Sequence, residues 1–356
     1  MKYHTLPAVL YLSGIVSFYI LHTNRQLHHR IMDNGTTGNT SASSIDVMTS
    51  TDVINATGTH FTSDIVLTIS AVGLFPIGII GNMCTIFTLL QTKNRNSATT
   101  IFIMVLAFSD NIILLTGSFF HWFIDKVGLD LYSDVGCKLW TFFNIASIQI
   151  SSWILATISI ERAVLVTLPL KAHIIFTKQA ACVIASCVVV AAVCLNIPVI
   201  IANKVHTDLL VCDMLDFYIH VFPVIDFSFT FLLPFIILVV TSIIIIAVLW
   251  RKLKGKKASN VVSSVAITML LVNLTFIVTI MPFCVYQMTA SYRDDTSRHM
   301  TEEWYMLIQL SEINPILNVP LYCQGNLRFR QEINNLLTQC KTVTSSEGVF
   351  GGKVTD

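Results

Sequence analysis

Seven long apolar runs dominate the chain, and each is long enough to cross a membrane as a helix. A membrane-spanning helix needs about 20 mostly apolar residues, whereas a membrane barrel strand alternates over about ten. Only helices and closed barrels satisfy their backbone groups in lipid. The pattern therefore predicts an all-α membrane protein, a bundle of seven transmembrane helices. The runs cover residues 65–91, 98–122, 138–160, 180–202, 218–250, 261–289 and 303–323.

The segments between the runs alternate in charge, which predicts an orientation. Lys and Arg follow the first, third, fifth and seventh runs, most densely at 251–257. The other connections are acidic or mixed, as at 125–134 and 294–303. Because Lys and Arg concentrate in cytoplasmic loops, we expect a multi-pass plasma-membrane protein with its N-terminus outside and its C-terminus inside.

An eighth, shorter apolar run lies near the N-terminus, from Leu6 to Leu21. With Lys2 before it, this run is typical of a secretory signal peptide. Residues 1–22 are therefore interpreted as a cleaved signal peptide, or alternatively as an uncleaved anchor or extra helix. Residues 23–63 are predicted to be a flexible extracellular tail, because their composition is largely polar. The tail contains three glycosylation sequons, at Asn34, Asn39 and Asn55.

Composition supports a membrane location and argues against an enzyme. Hydrophobic residues make up 54% of the 356 residues and charged residues 12%, against about 25% charged in a soluble domain. The sequence has no metal-ligand spacing, nucleophile elbow or phosphate-binding loop. We expect neither an enzyme nor a nucleic-acid-binding protein.

Two of the nine cysteines fall on the predicted outer side, where disulfides persist. Cys137 lies at the outer end of the third run and Cys212 in the loop before the fifth, so we predict a disulfide between them. Cys340 follows an amphipathic stretch, residues 326–341, that is predicted to lie along the inner leaflet. Cys340 is either palmitoylated there or a free thiol. Residues 342–356 form the cytoplasmic tail.

Two adjacent charges, Glu161 and Arg162, end the third run, 25 residues after Cys137. Charges at the end of a membrane span are costly and are functional by default. This pair belongs to a set of motifs, each on its own run. The set comprises Gly81-Asn82; Leu106-Ala107-Phe108-Ser109-Asp110; Cys137 with Glu161-Arg162-Ala163 and Pro169; Pro234; Phe276 and Pro282; and Asn318-Val319-Pro320-Leu321-Tyr322, followed by Phe329-Arg330.

This ordered set resembles the rhodopsin-like (class A) G-protein-coupled receptors, from about Asp64 to Cys340. The resemblance implies a receptor domain over residues 64–325. It also implies an extracellular ligand, a heterotrimeric G protein, arrestin, a receptor kinase and membrane lipid as partners. A membrane transporter is the rival class, although no internal repeat is visible. The residues that the resemblance assigns to coupling and switching are Glu161, Arg162, Asn318, Tyr322, Phe276 and Pro282.

Several positions depart from the pattern of the family that the chain resembles. Ala163 replaces the usual tyrosine after the arginine, and Ile280 stands where the family places a toggle tryptophan. Ser242 replaces a tyrosine that supports the active state, and Val262 stands near the usual acidic residue of the sixth helix. The resting partner expected for Arg162 is therefore Glu161, and its resting restraints are expected to be weaker than usual.

The resemblance also groups four oxygen-bearing side chains around a buried carboxylate. They are Asp110, Ser151, Asn314 and Asn318. Oxygen ligands suit a hard cation such as sodium. The alternative is a protonated Asp110 within a hydrogen-bond network. No other cofactor is expected.

Two further carboxylates, Asp226 and Glu312, are placed by the resemblance toward a ligand cavity in the outer half. Burial of two carboxylates is costly, and a cationic ligand group is one solution. Protonation or pairing with His121 or His220 is the other. A basic neuropeptide, amidated or not, is the ligand favoured by analogy, with a non-peptide small molecule as the alternative. The remaining candidates for the cavity are Asn144, Trp140, Tyr286, Gln287 and Trp304.

Overall fold

The computed structural model describes residues 68–91, 97–117, 119–120, 122–123, 133–206, 211–214, 221–254, 260–290 and 302–325. All of these belong to one compact unit, Asp64–Asp356. The signal peptide, the glycosylated tail, the amphipathic stretch with Cys340 and the cytoplasmic tail lie outside the described residues, so those expectations stay predictions.

Seven helices account for nearly all of the described residues, as predicted. The first, α1, opens with a π-helical turn, Ser70–Leu74, that continues as Phe75–Gln91. The others are α2, Ala98–Thr116; α3, Asp134–Thr167; α4, Lys178–Leu195; α5, built from Phe222–Asp226, Phe227–Leu232 and Leu233–Lys254; α6, Asn260–Ala290; and α7, Glu302–Gly325. After Asn196, α4 continues as Ile197–Ala202, and the short helix Pro169–Ile175 precedes α4.

Length and composition identify six of these helices as candidate membrane spans among the described residues, namely α1 to α6. The seventh, α7, has 24 residues, which is about 36 Å of helix and long enough to cross a bilayer. It contains three charged residues, Glu302, Glu303 and Glu312.

Hydroxyl side chains set where three helices begin. Ser97, Ser133 and Thr177 each precede a helix in extended conformation, and each side-chain oxygen accepts a backbone N–H three residues later, at 3.1 to 3.2 Å. These bonds satisfy one of the N–H groups that a helix start leaves unpaired. The third helix therefore starts at Asp134, earlier than the predicted 138, because its apolar run is preceded by a capped polar turn.

A proline shapes α5. Pro234 cannot donate a backbone hydrogen bond, and its ring crowds the carbonyl one turn earlier. The turn before it, Phe227–Leu232, is wound as a π-helix. This widening rotates the first part of α5, which carries Asp226, relative to a regular helix.

One element was not predicted from the sequence. Asn203–His206 (β1) and Val211–Met214 (β2) form an antiparallel hairpin in which Val205 lies opposite Cys212. The hairpin packs against α3. The sequence carried only a weak signal, since each strand is four residues long.

Burial distinguishes central helices from peripheral ones. In its most apolar window α2 buries 67% of its residues and α3 buries 61%, whereas α4 and α5 bury 22% each. The main core joins α2, α3, α5 and α6 around Phe102, Ile154, Leu238, Val272 and Phe276. The outward residues of α4 and α5 are large and apolar, as expected of surfaces that face lipid.

The first helix packs closely on α2 and α7. A Cβ placed at Gly78 would lie 2.7 Å from Ile316 Cγ1 and 2.8 Å from Leu114 Cδ1. Nearby, Asn82 Nδ2 donates to the Pro315 carbonyl at 3.3 Å. Because glycine has no side-chain carbon, Gly78 allows α1 to approach α2 and α7 closely.

We expect Gly78→Ala to destabilise the bundle by about 1–3 kcal/mol, the usual cost of overpacking. Thermal unfolding of the purified protein in detergent measures this as a lower midpoint. Gly73→Ala is the matched control, since a Cβ there has no atom within 4 Å. Equal midpoints for the two variants would contradict the packing argument.

Candidate functional site

The two ends of α3 define two regions of the bundle. Cys137, near its start, is disulfide-bonded, and Arg162 lies 25 residues further along, about 37 Å of helix. We call these regions the hairpin end and the Arg162 end. Cys137 forms a disulfide as expected, and Cys212 lies on β2 of the adjacent hairpin; their pairing stays a prediction.

At the Arg162 end, the two charges of the Glu161-Arg162 pair have different surroundings. Glu161 is buried, and its Oε1 accepts a 2.5 Å hydrogen bond from Thr99 Oγ1 at the start of α2. Arg162 is half-buried, and its Nε has no hydrogen-bond partner among the described residues. The expected pairing of Glu161 with Arg162 is not formed in this conformation, because Thr99 holds the carboxylate toward α2.

The switch residues on α6 lie in the core. Phe276 is fully buried and stacks on Phe231 of α5, with ring centroids 6.3 Å apart. Phe231 stacks in turn on Phe235 at 5.3 Å. Pro282 lies inside α6. The side chain of Tyr322 lies outside the described residues.

Asp110 is completely buried at the centre of the bundle. Its Oδ1 accepts a hydrogen bond from Ser151 Oγ at 2.7 Å, and its Oδ2 accepts one from Asn318 Nδ2 at 2.8 Å. Three of the four residues predicted for this site are therefore in direct contact, and they connect α2, α3 and α7.

Two further oxygens on α7 are of the type that binds a hard cation. Asn314 Oδ1 and Asn318 Oδ1 are buried and have no hydrogen-bond partner among the described residues. With the Asp110 carboxylate and Ser151 Oγ they offer the oxygen ligands that such an ion prefers.

Asp226 is held by a hydrogen-bonded chain across three helices. Its Oδ1 accepts from Gln149 Nε2 at 2.9 Å and from Thr230 Oγ1 at 2.6 Å. Gln149 Oε1 accepts in turn from Asn196 Nδ2 at 2.8 Å. Because the Asn196 donor fixes which atom of Gln149 is the acceptor, the Gln149 amide N–H must face Asp226. The carboxylate is therefore oriented by α3 and α4.

The depth of Asp226 differs from the expectation. Its partner Gln149 lies 12 residues after Cys137 and 13 before Arg162, so the carboxylate is near mid-depth rather than in the outer half. All of its hydrogen bonds within the described part of the chain go to Oδ1, and the residue is only half-buried. The other oxygen, Oδ2, remains available to a donor.

Glu312 is buried at the hairpin end of α2. It is 1% exposed, and its Oε1 occupies the space that a Cβ at Gly117 would fill. The absence of a side chain at Gly117 makes room for the carboxyl group. Asp226 and Glu312 thus contact different helices, the first α3 and the second the end of α2.

The other predicted cavity residues lie nearer the hairpin end. Trp140 Nε1 donates to the Thr116 carbonyl, and Asn144 Nδ2 donates to Thr116 Oγ1 at 3.0 Å. Trp140 also stacks on Phe120 with centroids 5.4 Å apart. Trp304 is buried, whereas Tyr286 and Gln287 are half-buried on α6.

Two polar groups escaped the sequence reasoning. One is the Gln149–Asn196 pair that orients Asp226. The other joins Asn273 of α6 to Ser159, Thr241 and Ser242. The available signal was an amide side chain inside each apolar run, since such groups are costly in lipid unless another helix supplies a partner.

The chain belongs to the rhodopsin family of seven-transmembrane receptors: residues 81–322 match the model of that family. The chain is thus a multi-pass membrane receptor and not an enzyme, as the sequence motifs predicted.

Individual relatives are distant. Leukotriene B4 receptor 1 from Bos taurus is 27% identical over 44% of this chain and 44% of its own length. Bombesin receptor subtype-3 from Ovis aries is 28% identical over 38% of this chain and 34% of its own. CX3C chemokine receptor 1 from Homo sapiens is 25% identical over 78% of this chain and 79% of its own. The first two alignments span less than half of those receptors.

Proposed function

We propose that this rhodopsin-family receptor activates an intracellular heterotrimeric G protein when a ligand binds from outside the cell. In the plasma membrane the hairpin end faces outward and the Arg162 end inward, which agrees with the Lys and Arg excess after the first, third, fifth and seventh helices. Arrestin and a receptor kinase are further partners, for which Thr342, Thr344, Ser345 and Ser346 offer phosphorylation sites.

The observation that carries this proposal is the environment of Arg162. The guanidinium lies at the end of a membrane span and forms no ion pair with any described residue, and its Nε lacks a hydrogen-bond partner there. Arginine always carries its charge and presents a planar fork of donors. An inserted helix of a G protein offers carbonyl acceptors to that fork. Ligand binding would favour a state in which the Arg162 ends of α5 and α6 are apart.

We expect Arg162→Ala to abolish ligand-driven uptake of a GTP analogue while surface expression is unchanged, because the coupling donors are lost. The measurement uses cell membranes and an activating peptide from an amidated neuropeptide library. Lys171→Ala removes an exposed positive charge near the same end and is the control. Unchanged uptake in Arg162→Ala would contradict the coupling role, and ligand-independent ion flux without uptake would favour a transporter.

The ligand we propose is a basic peptide whose Arg or Lys side chain reaches Asp226. Support comes from the orientation of this carboxylate by Gln149 and Thr230, since both bonds go to Oδ1 and Oδ2 accepts none among the described residues. The relatives are named for receptors of both peptide and lipid ligands, so a non-peptide small molecule is the second candidate. Gln149, which donates to Asp226, lies about 18 Å along α3 from Cys137, so the ligand must insert its basic group into the bundle.

For such a peptide, we expect Asp226→Asn to lower potency at least about tenfold, since an interfacial charge is left without its partner. Replacing the ligand's arginine by citrulline should cause a similar loss in the native receptor and little further loss in the variant, which is the signature of a direct pair. Potency is read from calcium and cyclic-nucleotide responses.

Asp134→Asn removes an exposed acidic residue at the hairpin end and controls for general attraction of cations. Two results would overturn the basic-ligand proposal: activation by non-basic ligands alone, or equal losses in Asp226→Asn for the arginine and citrulline peptides.

We also propose that Asp110, Ser151, Asn314 and Asn318 hold a sodium ion. The support is the set of buried oxygens described above. A cation there would neutralise the Asp110 carboxylate and connect α2, α3 and α7. A protonated Asp110 is the competing state.

Sodium should stabilise the purified native receptor against heat more than choline at equal ionic strength, by about 1.4 kcal/mol when sodium is about ten times its Kd. In Asp110→Asn this difference should vanish, because the ion loses its charged ligand. Ser109→Ala is the control, since the Ser109 hydroxyl bonds only its own helix at the Leu106 carbonyl. A sodium response that persists in Asp110→Asn would overturn the sodium site at Asp110, and the absence of any sodium response in the native receptor would support the protonated state.

A further inference from the structure

Four polar side chains from three helices meet in the apolar interior between mid-depth and the Arg162 end. They are Asn273 of α6, Ser159 of α3, and Thr241 and Ser242 of α5. We call them the Asn273 cluster. Asn273, Ser159 and Thr241 are buried, and the neighbouring core residues Leu238, Ile245, Val272 and Phe276 have no exposed surface.

Asn273 makes the contacts that join the helices. Its Nδ2 lies 2.7 Å from Ser242 Oγ, 3.3 Å from Ser159 Oγ and 3.4 Å from the Leu238 carbonyl. Ser159 Oγ lies 2.7 Å from Thr241 Oγ1. One amide group therefore bonds α6 to both α3 and α5.

The hydroxyl contacts favour one direction for each bond. Thr241 donates to the Ile237 and Leu238 carbonyls at 2.8 and 3.1 Å, and Ser242 donates to the Leu238 carbonyl at 2.6 Å. Either oxygen of the Ser159–Thr241 bond can donate; since each hydroxyl has one hydrogen, a Thr241 that donates to these carbonyls accepts from Ser159. Ser159 and Ser242 then accept from Asn273, whose amide nitrogen carries the two hydrogens that this arrangement uses.

We propose that Asn273 is a clamp that holds α6 against α3 and α5 and restrains separation of their Arg162 ends. Movement of α6 away from α5 breaks the bonds to Ser242 and Ser159 together. The groups left behind lie in an apolar core, where unpaired polar groups are costly. The clamp therefore stabilises the closed arrangement of the helices.

The clamp accounts for a restraint that Arg162 does not supply. Ser159 precedes Arg162 by three residues on α3, so the cluster lies about one turn deeper in the bundle than Arg162. Arg162 itself has no ion pair with any residue that the structure describes, and Glu161 bonds Thr99. Asn273 supplies polar bonds that close α6 onto α3 near this end.

The test measures helix separation directly, because the role in signalling rests on the proposed coupling to a G protein. Spin labels at Gln179→Cys on α4 and Asn260→Cys at the start of α6 report the distance across the Arg162 end. The receptor is purified in nanodiscs, with the cysteines other than Cys137 and Cys212 replaced. Basal uptake of a GTP analogue is measured in parallel in membranes.

We expect Asn273→Asp and Asn273→Leu to shift the label distances toward a more open population. Basal uptake should rise about three- to tenfold, which corresponds to the loss of one or two neutral hydrogen bonds from the closed state. Asn273→Asp is the more informative variant, since Asp has nearly the same shape as Asn. Its carboxylate oxygens would face the Ser159 and Ser242 oxygens, whose hydrogens are already donated elsewhere. Ser242→Ala and Ser159→Ala each remove one acceptor and should give smaller shifts.

Thr275→Val is the matched control. Thr275 lies two residues along the same helix, and its hydroxyl bonds only the Leu271 carbonyl of α6. The distances between the spin labels in Thr275→Val should equal those in the native receptor.

The outcomes separate the clamp from the G-protein proposal. Wider distances with unchanged basal uptake would support the clamp and count against coupling. Unchanged distances in Asn273→Leu would overturn the clamp whatever the uptake. If that variant does not fold, unchanged distances in both serine variants would overturn it equally.

Discussion

The need to satisfy polar groups inside an apolar bundle is the constraint on which this receptor depends. A buried hydrogen-bonding group without a partner costs more than a bond contributes, and lipid offers no substitute. The bundle meets this need across helices: Asp110 bonds Ser151 and Asn318, Gln149 bonds Asp226 and Asn196, and Asn273 bonds Ser242 and Ser159. Since these bonds connect different helices, each fixes a relative position as well as satisfying a group.

The sequence predicted the helices and the family far better than the partners of individual side chains. Long apolar runs determine spans because the bilayer thickness sets a length, so α2 and α6 begin within one residue of their predicted starts. The partners of a side chain depend on the rotation and depth of its helix in the bundle, and an apolar run in the sequence specifies neither. Asp226 was therefore placed too far outward, and Glu161 was assigned to Arg162 although Thr99, from another helix, takes its carboxylate.

Two departures from the family pattern, at Ser242 and around Arg162, can be understood together from the Asn273 cluster. Ser242, where the resemblance predicts a tyrosine, accepts the shortest bond from Asn273. A small hydroxyl at this position lets the amide of α6 approach α5, and a phenol would occupy that space. In the proposed clamp, the weak restraint expected at Arg162 and the polar contact one turn deeper are connected, because closure of α6 relies on neutral hydrogen bonds rather than on an ion pair.

The third helix links the proposed ligand contact to the clamp. Gln149, which orients Asp226, and Ser159, which accepts from Asn273, lie ten residues apart on α3, about 15 Å along one rigid helix. Both bond to residues of α5, at Asp226 and at Thr241. A ligand that pulls Asp226 away from Gln149 would therefore act on the α3–α5 contact that also supports the clamp. Transmission requires no change within either helix, since a small displacement of α5 along α3 alters both sets of hydrogen bonds.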